Sequence, residues 1–255
     1  MKTTEAIAST FKQIIAGALM AGSFLSSSAH SDEAKSDPKP IVIIMLGPPG
    51  AGKGTQAAMV HEKLQIPHIS TGELLRDHVR RETALGKEAK LFMDKGNLVP
   101  DHLILDMLFE RVALPDCAKG YILDGFPRTL PQAESLQARL KGQLQPIVLN
   151  LDLADSKIIE RLTKRVVCES CGSTYHLVYS PPKESGTCDK CSGKLVQRSD
   201  DTEAVITKRL KVYHDQTSPL IAYYNQLKLL HTIDCDQSKE QIFSEVLARI
   251  PQLQK

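Results

Sequence analysis

Ile41-Val42-Ile43-Ile44-Met45-Leu46 runs directly into Gly47-Pro48-Pro49-Gly50-Ala51-Gly52-Lys53-Gly54-Thr55. Six consecutive apolar residues, four of them β-branched, predict a strand buried on both faces of a parallel sheet. The glycines that follow suit a loop whose backbone must adopt positive φ and approach an anion closely. From about Lys53 to Leu64 the pattern turns helical, so the loop's N–H groups and a helix N-terminus would converge on that anion. Lys53 adds a full positive charge in the register of the G-x-x-x-x-G-K-[ST] motif, although Gly54 stands where Ser or Thr is usual and Thr55 comes one residue later. Strand, loop, lysine and helix in this order read as a nucleoside-triphosphate site.

Working outward, Pro67–Ile69, Tyr121–Leu123, Ile147–Leu151 and Leu229–Ile233 are further candidates for buried strands. Helical stretches separate them, which predicts an α/β fold: a parallel five-stranded sheet flanked by crossover helices. Two excursions interrupt the alternation. Residues 70–99 read as a helical, polar insert. Residues 164–201 hold four paired cysteines, several prolines and glycines, and short strand-like pieces such as Tyr175–Tyr179. Beyond them, Asp200 or Asp201 can cap a long helix with Glu203 in its first turn. Ile206, Leu210 and Tyr213 form its apolar stripe, and Pro219 should kink or end it.

The 255 residues carry a net charge of only +2, which excludes a strongly electrostatic nucleic-acid binder and confines any basic surface to places where particular arginines converge. Residues 1–40 stand apart. Lys2 and Lys12 flank a mild stretch, and an apolar run from Ile14 to Leu25 leads to Ser26-Ser27-Ser28-Ala29. That segment reads either as a secretory leader with a small-residue cleavage site or as a disordered extension. It is too short and too rich in Gly, Ala and Ser for a membrane span. Cys117 and Cys235, isolated in sequence, read as small buried hydrophobes.

Ser70-Thr71-Gly72-Glu73-Leu74-Leu75-Arg76 opens the first excursion, and Leu123-Asp124-Gly125-Phe126-Pro127-Arg128-Thr129 follows another strand with Gln132 close behind. Together with the phosphate loop, where G-x-P-G-x-G-K-G-T is typical of nucleoside monophosphate kinases, these motifs resemble the adenylate kinase family. The likeness runs from Ile41 to about Pro251 in order and spacing. It implies transfer of the terminal phosphoryl group of MgATP to AMP, giving two ADP. The chemistry is consistent with the residues: an ionised phosphate attacks without a catalytic base, and the protein must hold two repelling anions in line. Arginines suit that work.

The resemblance assigns Gly50, Ala51, Gly52, Lys53, Gly54 and Thr55 to ATP, joined by Arg165, by Thr174 and Tyr175 at the base, and by Gln237 through its backbone. It assigns Arg76 and Arg128 to the AMP phosphate, and Thr71, Asn97, Leu98, Val99, Gly125, Phe126, Pro127 and Gln132 to the rest of AMP. Arg198 and Arg209 reach the acceptor and the transferring group; with Lys53, Arg128 and Arg165 they make up the catalytic set. Asp124 would orient Mg²⁺ through water. Arg161 and Arg165, four apart, are expected on one helix face. Lys164 stands where a glycine is common in relatives.

Cys168-x-x-Cys171 and Cys188-x-x-Cys191 have sixteen residues between them, the spacing of a four-cysteine zinc site, with two disulfides and a nucleic-acid zinc ribbon as rival readings. Glu169, Glu184 and Asp189, with no basic run, weigh against the ribbon. Some adenylate kinases carry zinc in the lid as a staple, which implies a core with a 70–99 AMP arm and a 164–201 zinc lid. Zinc thiolates suit a reducing compartment, so the expectation is a cytoplasmic monomer that engages neither nucleic acid nor membrane, with export as the alternative. A GTP- or UMP/CMP-using kinase of the same fold, and a non-catalytic zinc protein regulated by nucleotides, are the competing functions.

Overall fold

The computed structural model describes residues 40–140, 144, 146–250 and 253. The N-terminal segment read above as leader or extension lies outside the described residues. Strand β1 (Ile41–Leu46) is buried along its whole length. Its odd-numbered residues Ile41, Ile43 and Met45 enter one hydrophobic cluster, and Val42, Ile44 and Leu46 enter another. The two-residue period of a strand therefore feeds apolar layers on both faces of the sheet, at about 1.5–3 kcal/mol per fully buried side chain.

The sheet order is β2–β3–β1–β4–β8, with β2 His68–Ser70, β3 Gly120–Asp124, β4 Pro146–Asp152 and β8 Leu230–Asp234. All pairings are parallel, and Met45 lies opposite both Asp124 and Leu149. The first cluster packs under α1 (Lys53–Leu64), α6 (Asp155–Thr163), α7 (Glu203–Val212) and α9 (Lys239–Leu247). The second packs under α4 (Asp101–Val112), α5 (Leu130–Leu140) and α8 (Pro219–Gln226). Cys117 and Cys235 are buried, as their isolation suggested. Because β1 has neighbours reached in opposite directions along the sheet, its C-terminal end is the switch point where α/β sheets bind ligands.

The first excursion forms α2 (Thr71–Arg80) and α3 (Ala84–Met93). Their caps are local: the Ser70 hydroxyl accepts the Glu73 N–H, and Thr83 accepts that of Gly86. The second forms an antiparallel sheet of β5 (Arg165–Cys168), β6 (Thr174–His176) and β7 (Leu195–Val196), in the order β6–β5–β7. Its hydrophobic centre is small, built on Cys168, Tyr175 and Cys188. The strand-like piece read as extending to Tyr179 stops at His176, because the chain turns there and the Ser180 N–H returns to the His176 carbonyl at 3.0 Å.

Three sequence expectations need correction. Arg161 and Arg165 do not share a helix: α6 ends at Thr163, and Arg165 opens β5. Lys164 makes the change with φ −106°, a conformation open to any L-residue, so the glycine common there is not required. Neither Asp200 nor Asp201 caps α7. Both sit in a short 3-10 turn, and the position before the helix is Thr202 without a side-chain cap. Asp201 is fully buried, with arginines rather than amides as its partners. Pro219 neither kinks nor ends α7, which stops earlier at Val212; a π turn, Tyr213–Thr217, follows, and Pro219 takes the first position of α8, where its missing N–H is harmless.

Candidate active site

The loop after β1 is shaped by contacts no side chain could share. A Cβ on Gly47, at φ +130°, would sit 2.3 Å from the Leu151 carbonyl oxygen. Gly52 precedes α1 at φ 98° and offers no side-chain cap, so the first amides of α1 remain free for an anion. Lys53 folds back over the loop, its Nζ donating to the carbonyls of Gly47 and Pro48 at 2.8 Å each. Burial, together with the neighbouring charges of Arg128, Arg209 and Arg165, lowers its pKa to about 8 against the opposing pull of Asp124.

The loop forms the floor of a 1520 Å³ cleft, larger than the roughly 300–1,000 Å³ of a single-ligand pocket. Lys53, Arg76, Arg128, Arg161, Arg165, Arg198 and Arg209 all line it. Chain segments more than a hundred residues apart thus bring their cations to one space. Several are held by acidic side chains to which spacing alone had given another role or none. Arg165 grips Asp201 with two bonds of 2.7 and 2.6 Å, and Arg209 reaches the same carboxylate at 3.1 Å. Arg209 also contacts Asp200, at 3.0 Å to its carbonyl and 3.2 Å to its carboxylate. Glu73 accepts from Arg76 at 2.5 Å and from Arg198 at 2.7 Å. Burial opposes the charge on Glu73, but Arg76 and Arg198 outweigh it and keep its pKa low.

Arg128 is fixed at three points. Its N–H donates to Gln132 Oε1 at 2.8 Å, its Nε to the Gly125 carbonyl at 2.7 Å, and its own carbonyl accepts from Thr217 Oγ1 at 2.8 Å. Burial and the nearby Arg209 lower its pKa to about 10. Asp124 ends β3 beside the loop, with His68 Nε2 at 3.4 Å from Oδ2. Burial opposes its ionisation; the His68 bond and the Lys53 charge overcome that and hold its pKa below the usual range.

Gly50, Ala51, Gly54, Thr55, Thr71, Asn97, Leu98, Val99, Gly125, Pro127, Gln132, Thr174 and Gln237 also line the cleft. Two residues turn their side chains elsewhere. The Phe126 side chain is fully buried in the second core cluster, because an apolar ring gains more from the core than from a polar cleft. Tyr175 borders the cleft, but its hydroxyl turns into the cysteine cluster, 3.4 Å from Cys188 Sγ, and accepts the Asp189 N–H at 2.8 Å. Gln132 already spends one donor on Asp101 and one acceptor on Arg128, leaving one of each for a ligand. Of the residues missed, Glu73 had a signal, since it lies three before Arg76 on a helix. His68 had none.

The four sulfurs of Cys168, Cys171, Cys188 and Cys191 all lie within 4.8 Å of one another. Zn–S bonds of about 2.3 Å place tetrahedral sulfurs ~3.8 Å apart, so this donor set fits a single zinc ion. Among the described residues no helix is long and apolar enough to cross a membrane.

Known proteins carry the same arrangement of sequence. A family model described as adenylate kinase matches residues 45–229. The adenylate kinase of Methanocella arvoryzae is 49% identical over 212 residues, covering 82% of this chain and 98% of its own. That of Brevibacillus brevis is 51% identical, covering 80% and 96%, and that of Archaeoglobus fulgidus 50%, covering 81% and 96%. Agreement at half of all positions along nearly the whole length of these relatives leaves a single assignment: the chain belongs to the adenylate kinase family.

Proposed function

We propose that the protein transfers the terminal phosphoryl group of MgATP to AMP, reversibly, giving two ADP. The observation that carries this reading is the convergence of Lys53 and five arginines, Arg76, Arg128, Arg165, Arg198 and Arg209, on one cleft with room for two nucleotides. A protein that merely bound one nucleotide would have no use for cations on both sides of a transfer point.

In this reading the loop amides and Lys53 hold the β and γ phosphates of ATP, while Thr174, the backbone at Tyr175 and Gln237 border its base. Arg76 and Arg128 hold the AMP phosphate. Thr71, Asn97–Val99, Gly125 and Gln132 place its nucleoside. An AMP phosphate oxygen forms a bond to the γ phosphorus as the bond to the bridging oxygen breaks, and ADP leaves with that electron pair. No proton need move, because a phosphate monoester with a second pKa of about 6 is already ionised at neutral pH. Arg165, Arg198 and Arg209 stabilise the charge spread over the transferring group. Bound Mg²⁺ would neutralise charge on the β and γ oxygens, with Asp124 holding its water. Residues 70–99 act as an AMP arm. Residues 164–201 act as a lid stapled by zinc on the four cysteines, since so small a segment buries little core of its own.

In this reading the protein is a monomer in a reducing cytoplasmic setting, which paired thiols suit; light scattering and the mass of the native N-terminus test these. Coupled detection of ADP from ATP plus AMP, with GTP as rival donor and UMP or CMP as rival acceptors, tests the activity. Absence of ADP formation with ATP and AMP, at any Mg²⁺ concentration, refutes it.

A further inference from the structure

The buried stripe along α7 and α8, otherwise aliphatic and aromatic, contains one small polar residue. Ile206, Leu210, Tyr213, Leu220 and Tyr224 are all buried, and Thr217, in step with them, is only 8% exposed. A hydroxyl in such a place is destabilising unless it is bonded. Its partner lies 89 residues away in sequence: Oγ1 donates to the Arg128 carbonyl at 2.8 Å.

The backbone around Thr217 is equally unusual. Tyr213–Thr217 forms a π turn, closed by the Ser218 N–H donating to the Tyr213 carbonyl at 2.9 Å. The Ser218 hydroxyl donates to the His214 carbonyl at 2.8 Å, occupying the acceptor an α-helix would have given to the Ser218 amide. Pro219 then starts α8 without an N–H to place. Such single π turns shift the phase of a helix and are commonly found at functional sites. Here the shifted turn sets Thr217 and Tyr213 against the cleft.

We propose that Thr217 is a positioning residue for phosphoryl transfer, the π turn holding its hydroxyl on the Arg128 carbonyl so that the Arg128 guanidinium is fixed before substrate arrives. This rests on the reading of Arg128 as a phosphate-binding arginine. The other two restraints act on the same residue from other directions: Gln132, itself tied to Asp101 at 2.7 Å, holds the Arg128 amide, and Gly125 holds Nε. Removing the carbonyl anchor leaves the guanidinium free to pivot about the remaining two, and small misplacements at a transfer site are expensive in rate.

The test compares wild type, Thr217→Val, Thr217→Ser and Thr217→Ala in ATP plus AMP turnover, each also in an Arg128→Lys background. Valine keeps the shape and removes the donor. It is expected to lower kcat by roughly 10- to 100-fold with the KM for MgATP unchanged, while serine restores kcat to within about threefold of wild type. In the Arg128→Lys background the valine effect should shrink to about twofold or less, because the two residues act through one another. A valine variant with wild-type kcat, or equal valine effects in both backgrounds, overturns the proposal. Should the valine variant fail to fold, the alanine variant carries the same comparison, with thermal melting as the check on structure. An inactive wild type would instead refute the phosphotransferase reading, so the two failures are distinguishable.

Discussion

Arg198 Nη2 donates to Glu73 Oε1 at 2.7 Å across 125 residues of sequence, and the same oxygen accepts from Arg76. One carboxylate therefore ties the residues that leave β7 to the first turn of α2. In the proposed function Arg76 holds the AMP phosphate and Arg198 faces the transferring group, so Glu73 competes with phosphate for both guanidiniums. The Glu73 side chain is 40% exposed, which limits each pair to the modest worth of a partly solvated ion pair. Glu73→Gln is accordingly expected to tighten AMP binding by roughly two- to fivefold, read by titration calorimetry. Weaker AMP binding in that variant would mean that Glu73 aligns the arginines rather than competing for them.

Arg128 is held at three points, by bonds to its amide, its Nε and its carbonyl. Its guanidinium should contribute mainly in the transition state. Arg128→Ala is expected to reduce kcat on the order of 10³-fold, by comparison with arginines that stabilise phosphoryl transfer elsewhere. Arg128→Lys should recover only part of that, since an ammonium lacks the planar fork. Near-normal turnover of the alanine variant at saturating substrates would remove Arg128 from the catalytic set.

How far the sequence could be read depended on whether a residue's partner is near it in the chain. The strand Ile41–Leu46, the glycine turn and Lys53 are all contiguous, so the phosphate cradle was legible from spacing alone. So were the cysteine pairs, because a two-residue gap states its own geometry. Asp201 was misread as a helix cap because position before α7 is a local signal. What decides its role is burial against Arg165 and Arg209, and packing of that kind leaves no mark on spacing. The direction of the Tyr175 hydroxyl, turned into the cysteine cluster, was equally illegible. His68 and Thr217 act through Asp124 and Arg128, contacts set by sheet order and a π turn, neither of which a periodic pattern reports.

The cysteine cluster should matter for stability more than for chemistry. Cys188 is 2% exposed at the centre of the small three-stranded sheet, with little else buried around it. About one zinc ion per chain is expected in purified protein by elemental analysis. Cys188→Ser, or chelation of the metal, should lower the Tm by several degrees, each kcal/mol being worth about 2–4 °C in a protein of this size. Turnover at 25 °C should fall much less than in the arginine variants. Full activity loss at temperatures where calorimetry still finds the protein folded would give the metal a direct part in transfer.

Lys53 provides the pH test. Its pKa falls from 10.5 to about 8 because burial and three neighbouring arginines disfavour its charge. In the unfolded chain the group binds its proton more tightly. The resulting destabilisation is thus fully present below pH 8 and is relieved as pH rises from 8 towards 10.5. Nucleotide phosphates reverse the balance, since an anion beside Nζ favours the ammonium. MgATP binding at pH 8.5 is therefore expected to take up protons, seen as a dependence of calorimetric enthalpy on the ionisation enthalpy of the buffer. Affinity should decline as pH rises above 8. Lys53→Met should bind more weakly and lose the proton uptake. If wild type and Lys53→Met show the same buffer dependence, the proton belongs to another group, and Lys53 enters the complex already charged.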